Sequence, residues 1–358
     1  MAMVERRDFL KGAGLAAVAA LASTVGGTAG SAQAADKALL PSTIKPKRLK
    51  RGDTVAIVAP SGVTWEKFTL QLSIESLEVL GLKAKVFPHA MDRHGYLAGT
   101  DADRAADLMA AFEDPEVDGI FCLRGGWGAA RLLPLLDYAI IRANPKVLIG
   151  YSDITALHTA FAAKVGMVSY LGPNAGSAWY EFEAEMMTKL LFDGKKLEYR
   201  TEPKNDGTLV PRKNRSQTIV PGTAEGWLAG GNLTVFVSLM GSPYFPNLDG
   251  AILCLEDIGE KIYRVDRMIT QIALGGYLKG LKGIVLGGFT DCGPDESEPY
   301  GGFTLGEVFE QHFGALGIPV WSGAQFGHIK DNATLPLGAR ARIDGGKRTL
   351  TLLESAVA

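Results

Sequence analysis

The chain is poor in the residues that build metal and redox centres. Its 358 residues include three cysteines and five histidines. Cys122, Cys254 and Cys292 form no C-x-x-C pair, and no H-x-x-E-H spacing exists, so neither a zinc site nor another metal centre is expected. Cys122 and Cys254 lie inside apolar strand-like runs and read as buried thiols. A basic stripe is missing too: net charge is −2, and nucleic acid is not an expected partner. There is no G-x-G-x-x-G turn and no P-loop Lys-Ser/Thr, which discounts NAD and ATP and leaves no expected cofactor. No internal repeat is visible. Beyond the N-terminal segment, nothing approaches ~18 continuous apolar residues, so no stable membrane span is expected after processing.

What is abundant is glycine, 44 residues, well above the usual ~7%. These glycines fall between apolar runs, which marks turns and close backbone approaches rather than a fibre. The first segment reads as an address. Arg6-Arg7-Asp8-Phe9-Leu10-Lys11 precedes a mildly apolar, glycine-broken run to about Gly30, and Ala32-Gln33-Ala34 offers a small-residue cleavage site. That pattern is a twin-arginine signal over residues 1–34, too weakly hydrophobic for an anchor, and it predicts a periplasmic mature protein starting near Ala35.

From Asp53 onward short apolar runs alternate with amphipathic ones. Strands are expected at Thr54–Ala59, Lys83–Phe87, Gly119–Leu123, Val147–Ile149 and Met167–Leu171. Helices are expected at Trp65–Leu80, Asp101–Phe112, Ala129–Leu136 and Thr155–Lys164. Such alternation gives an α/β fold with a parallel sheet covered on both faces, here over residues 48–175. Residues 176–220 lose the rhythm and read as a linker. Residues 221–358 read as a smaller β-rich domain, with strands near Ala251–Leu255, Gly283–Phe289, Pro319–Trp321, Arg340–Asp344 and Thr349–Leu353. Helices are expected at Val265–Leu274 and Leu305–Phe313.

Three segments carry candidate chemistry. Gly150-Tyr151-Ser152-Asp153 follows an apolar strand and precedes a helix, which lifts a serine hydroxyl above the sheet edge beside N–H groups able to stabilise an oxyanion. Ile154 stands where a full G-x-S-x-G elbow has glycine, and a plain N-cap is the competing reading of Ser152. A serine nucleophile needs a base. His158 lies on the far side of the helix from Ser152; His89 and His94 read as surface or loop residues; His312 sits at a helix end. His328 lies in the polar loop Gln325-Phe326-Gly327-His328, where catalytic groups commonly sit. An acceptor for that base is available at Glu256 or Asp257, which end an apolar strand on opposite faces. The cluster Arg124-Gly125-Gly126-Trp127-Gly128 lets backbone approach a ligand closely.

Together, Arg51 to Ser61, Arg124 to Gly128, Gly150 to Asp153, Gly230-Gly231-Asn232-Leu233, Leu255-Glu256-Asp257, Tyr263 to Arg267 and Gly327-His328 resemble the LD-carboxypeptidase family of serine peptidases. The resemblance covers nearly the whole mature chain. It implies a Rossmann-like N-terminal domain, a β-rich C-terminal domain and a homodimer. It also implies Ser152 as nucleophile, His328 as base and Glu256 as its orienting partner, with an oxyanion hole from the backbone of Gly126 and Asp153. The implied substrate is a muropeptide or other short peptide, from which C-terminal D-alanine is released. Arg124 and Arg264 are candidates for its terminal carboxylate, and Trp127 for stacking on it. Two alternatives stand beside this reading. One is a microcin-immunity-like peptidase acting on acyl-adenylate antibiotics. The other is a non-enzymatic two-lobe periplasmic binding protein.

Overall fold

The computed structural model describes residues 44–204, 207–210, 215–294 and 301–358. The expected signal over residues 1–34 and part of the polar stretch Pro203–Gly207 lie outside them. No helix among the described residues is long and apolar enough to cross a membrane.

The first half begins with β1 (Thr54–Val58), α1 (Lys67–Val79), β2 (Lys83–Val86), α2 (Asp101–Glu113) and β3 (Gly119–Cys122). A 3₁₀ turn at Ala129–Leu135 follows, then α3 (Tyr138–Ala143), β4 (Val147–Gly150), α4 (Thr155–Lys164) and β5 (Ser169–Leu171). The helices on the two faces bury β3 and β4, which are apolar throughout, as the centre of a parallel sheet requires. α2 starts at a Thr100–Asp103 capping box with two acids in its first turn, where the helix dipole favours them.

The second half continues with α5 (Glu181–Leu191), β6 (Glu198–Arg200), β7 (Gln217–Val220), β8 (Thr223–Asn232), α6 (Leu233–Ser238), β9 (Ala251–Ile258) and α7 (Ile262–Leu274). It ends with β10 (Gly283–Thr290), α8 (Leu305–Phe313), β11 (Val320–Ser322), β12 (Leu335–Leu337), β13 (Arg340–Asp344) and β14 (Thr349–Leu352). The expected α/β architecture with a second sheet is therefore present. Two differences stand out. The stretch read as a linker, 176–220, holds α5, β6 and β7 rather than irregular chain. The helix expected from Trp65 starts at Lys67, which leaves Trp65 in the loop after β1.

Strand order in the first sheet is β12-β5-β4-β3-β1-β2, with β1 to β5 parallel and β12 antiparallel to β5. The direction of winding reverses between β1 and β3. In open α/β sheets a ligand crevice forms outside the carboxyl ends of the strands at such a switch point. The second sheet, β6-β14-β13-β8-β9-β10-β11-β7, has a parallel centre from β8 to β11 and antiparallel flanks.

His158 faces into the core of α4, away from Ser152. It is fully buried, bonded through Nδ1 to Ser169 Oγ at 2.9 Å and through Nε2 to the Gly150 carbonyl at 2.9 Å. Burial pushes its pKa down to about 4. Below the ordinary histidine range the unfolded chain therefore binds a proton that the folded chain refuses. Stability falls as pH drops from about 6.5 to about 4, by roughly 3 kcal/mol from this group alone. Denaturant unfolding across that window should show a pH slope that is smaller by one proton in His158→Asn; an identical slope in the two proteins would contradict the assignment.

Candidate functional site

A cleft of roughly 780 Å³ opens where the carboxyl ends of the parallel strands of the two sheets meet. Loops after β1, β3 and β4 supply one side; the ends of β8 and β9 and the loop after β11 supply the other. Ser152 and His328 both line it, with Arg124, Gly126, Trp127 and Asp153.

Ser152 follows β4 directly and opens a 3₁₀ turn that runs into α4. Its φ is +65°, a left-handed conformation that costs a non-glycine residue about 1–2 kcal/mol. This turn aims the hydroxyl into the cleft instead of along the helix axis. Gly125 makes room for it: a Cβ there would lie 2.8 Å from Ser152 Cβ and 3.2 Å from Oγ. Gly126 sits at φ +116° beside it, also a conformation reserved for glycine.

The Asp153 side chain does not reach the cleft centre. Buried, it accepts from Ser61 Oγ at 2.5 Å and from the Ala129 amide at 2.8 Å, tying the loops after β1, β3 and β4 together. Burial holds its carboxyl above the ordinary aspartate range despite those two donors.

On the opposite side the alternation of β9 decides which acid serves which neighbour. Glu256 is fully buried and accepts from His328 Nδ1 at 2.6 Å and from the His328 amide at 3.3 Å, both through Oε2. Asp257 points the other way, to Asn232 Nδ2 at 2.9 Å and to the Thr234 hydroxyl at 2.8 Å. A carboxylate on Nδ1 fixes the imidazole tautomer with its proton on that nitrogen and leaves Nε2 as the basic atom. The imidazole is further held by the Tyr151 ring, 4.8 Å between centroids, and its backbone carbonyl accepts from Thr290 Oγ1 at 2.7 Å. Among the described residues no hydrogen bond joins Ser152 to His328.

The loop that carries His328 is clamped from a direction the sequence did not suggest. Glu183, buried on α5, accepts from the Asn332 amide at 3.0 Å, and Asn332 Oδ1 accepts from the Gly327 amide at 2.9 Å. Gly327 at φ +105° packs directly on Glu256. The paired signal was the i, i+4 apolar face of α5, which includes Phe182 and Met186, but no side chain caps its start.

Arg124 lines the cleft and donates to the Val63 carbonyl at 2.8 Å. Arg264 does not line it. It lies half-exposed on α7, 3.7 Å from Glu260, which does line the cleft. Trp127 is 63% exposed at the rim. The three cysteines are free and buried, and burial raises the thiol of Cys254 to about 12. His312 bonds Asp266 at 2.6 Å, away from the cleft.

Two family models match the chain: the LD-carboxypeptidase N-terminal domain over residues 55–172 and the LD-carboxypeptidase C-terminal domain over residues 225–343. A putative carboxypeptidase of Streptomyces coelicolor is 41% identical, covering 86% of this chain and 96% of that one. A probable murein peptide carboxypeptidase of Bacillus subtilis is 36% identical, over 86% and 94% respectively. Among solved structures, the microcin C7 self-immunity protein in complex with aspartyl sulfamoyl adenosine superposes with a TM-score of 0.79 at 27% identity, over 88% of this chain and 100% of that one.

The tight packing at Gly327 gives a test that needs no substrate. A Cβ there would fall 2.6 Å from Glu256 Cβ and 2.7 Å from Oε2. Gly327→Ala should cost about 2–4 kcal/mol of stability and break the Glu256–His328 bond. Thermal melting and the downfield imidazole N–H proton resonance read the two effects; a variant that keeps both would show the loop to be looser than described.

Proposed function

We propose, because the chain belongs to the LD-carboxypeptidase family, that it is a serine peptidase which hydrolyses an L,D-peptide bond and releases C-terminal D-alanine from murein tetrapeptides. The observation that carries this reading is the meeting, in one cleft, of a serine on a left-handed turn and a histidine held by a buried glutamate.

In the proposed reaction Ser152 Oγ attacks the carbonyl carbon of the L-configured centre and gives its proton to His328 Nε2. Charge that develops on the carbonyl oxygen meets the amides of Gly126 and Asp153. Preorganised donors of this kind are worth ~100–1000-fold in rate. His328 then passes its proton to the departing D-alanine nitrogen, which breaks the C–N bond and leaves an ester on Ser152. Water, deprotonated by the same imidazole, attacks that ester, and the serine regains its proton. Glu256 keeps its charge throughout and stabilises the imidazolium. Arg124 binds the terminal carboxylate of the substrate. No step calls for a metal or cofactor. The twin-arginine pattern supports a periplasmic setting for this activity, in which it would trim wall peptides in place, and the family resemblance supports a homodimer.

Mass spectrometry of a murein tetrapeptide incubated with the protein should show the loss of one alanine. Ser152→Ala should lose at least ~10³-fold in kcat, and Glu256→Gln ~10²–10⁴-fold with little change in KM. Cleavage at the wild-type rate by Ser152→Ala would remove Ser152 from the chemistry. A folded wild-type protein that leaves the tetrapeptide intact would point to another amide substrate.

A further inference from the structure

We infer that Glu183 on α5 is a positioning residue for His328, acting through Asn332 and Gly327; this rests on the reading of His328 as the base. His328 is carried by residues 323–334, which hold no helix or strand. A base must be placed to within about 0.5 Å of its working geometry, and irregular chain does not keep that precision unaided. Glu256 and Thr290 hold residue 328 itself. The chain after it needs its own restraint, because a loop free to swing in its second half would carry the imidazole with it.

That restraint comes from one stretch of chain, the segment that runs from the start of α5 to just past β6. The Lys330 ammonium lies 4.8 Å from the centre of the Tyr180 ring, and Lys204 bonds Asp331. Glu183 Oε1 accepts from the Asn332 amide at 3.0 Å, and the Tyr199 hydroxyl donates to the Thr334 carbonyl at 2.8 Å. These contacts differ in weight. Lys330, Tyr180 and Lys204 are exposed, and pairs made in water contribute little. Thr334 adjoins β12, which its pairing with β5 already anchors. Glu183 is the buried contact, and the residue it grips turns back onto the histidine: Asn332 Oδ1 accepts from the Gly327 amide at 2.9 Å, and Gly327 packs on Glu256.

An acid in this place has a cost that packing does not explain. Glu183 shares the buried face of α5 with Met187 and Leu190, where the helical period calls for an apolar residue. It is 2% exposed, and its Oε2 is buried with no hydrogen-bond partner among the described residues. A buried polar atom left unsatisfied is destabilising, and each such group in a native structure calls for a reason. The bond from Oε1 to the Asn332 amide supplies one. It fixes the point at which the loop folds back on Gly327, and through Gly327 it fixes the contact between Glu256 and His328.

The test reads turnover of a murein tetrapeptide and, without substrate, the downfield imidazole N–H proton resonance. Glu183→Gln keeps the accepting oxygen and should hold kcat within ~3-fold of wild type. Glu183→Leu removes it and should lower kcat ~10–100-fold with KM within ~2-fold, and the resonance should broaden or vanish. Asn332→Ala breaks the same chain of bonds at its other end and should match the leucine variant. The double variant should be no worse than Asn332→Ala alone. Leu108→Ala, a core deletion on α2, should lower the melting temperature and leave kcat and the resonance unchanged. Wild-type kcat and resonance in Glu183→Leu or in Asn332→Ala, an equal fall in Leu108→Ala, a fall in Glu183→Gln as deep as in the leucine variant, or additive losses in the double variant would each overturn the role. A wild type that folds but leaves the tetrapeptide intact would fail the peptidase reading alone, and the resonance would still decide the positioning.

Discussion

The left-handed turn at Ser152 is the constraint around which the site is organised. A serine at φ +65° cannot relax into the helix that follows without withdrawing its hydroxyl from the cleft. The surrounding residues hold it there. Gly125 leaves space for its side chain, and the His158–Gly150 bond fixes the carbonyl two residues before it. Asn174 accepts from the Tyr151 amide at 3.2 Å, and the Asp153 carboxylate gathers the loops from β1 and β3. The strain is local; the bonds that compensate it come from four separate segments of chain, so the turn reports on the whole first sheet.

The opposite wall obeys a different rule, the two-residue alternation of a strand. β9 is buried along nearly its whole length, and it ends in two neighbouring acids that must face opposite ways. One of them is shielded from water and holds an imidazole; the other organises the start of α6 through Asn232 and Thr234. Burial raises the Asp257 carboxyl above the ordinary range despite these partners. Two chemically similar side chains thus do unlike work because one peptide unit separates them.

Much of this was legible in the sequence. The parallel-strand runs, the serine turn, and the strand-end acids are local patterns, and local patterns survive translation into structure. What was missed depends on distant partners. β8 is not among the expected strands, and its glycines Gly226, Gly230 and Gly231 weaken a strand pattern; a Cβ at Gly230 would fall 1.9 Å from the Cys254 carbonyl of the neighbouring strand, which only the fold reveals. β12 contains Pro336, which is tolerated only because the strand lies at the edge of its sheet. α5 follows a polar stretch and has no capping side chain, so its role in holding Asn332 becomes visible only when a residue 149 positions away is placed beside it. Whether Glu256 or Asp257 faces the histidine was undecidable from spacing alone.

The path of the chain bears on how the cleft can work. A binding protein that captures its ligand by closing two lobes needs a hinge whose opening leaves each lobe intact. Here β12, which follows the histidine loop, returns to the first sheet and pairs with β5, and the chain then goes back to the second sheet as β13 and β14. The carboxyl-terminal residues bond the segment that precedes β1, with the Ala358 amide on the Pro46 carbonyl at 2.9 Å, and they bond β5, with the Tyr170 hydroxyl on the Ala356 carbonyl at 2.8 Å. Opening by rotation would tear a strand from a sheet at several kcal/mol for the ladder bonds and burial lost. The interlock suits a site whose two walls must keep a nucleophile and a base at fixed separation, and it is a poor design for a clamp. Fixed walls place the burden of fit on the ligand, which is consistent with an aromatic rim, Trp65 and Trp127, already held by Arg93 and Tyr96 before anything is bound.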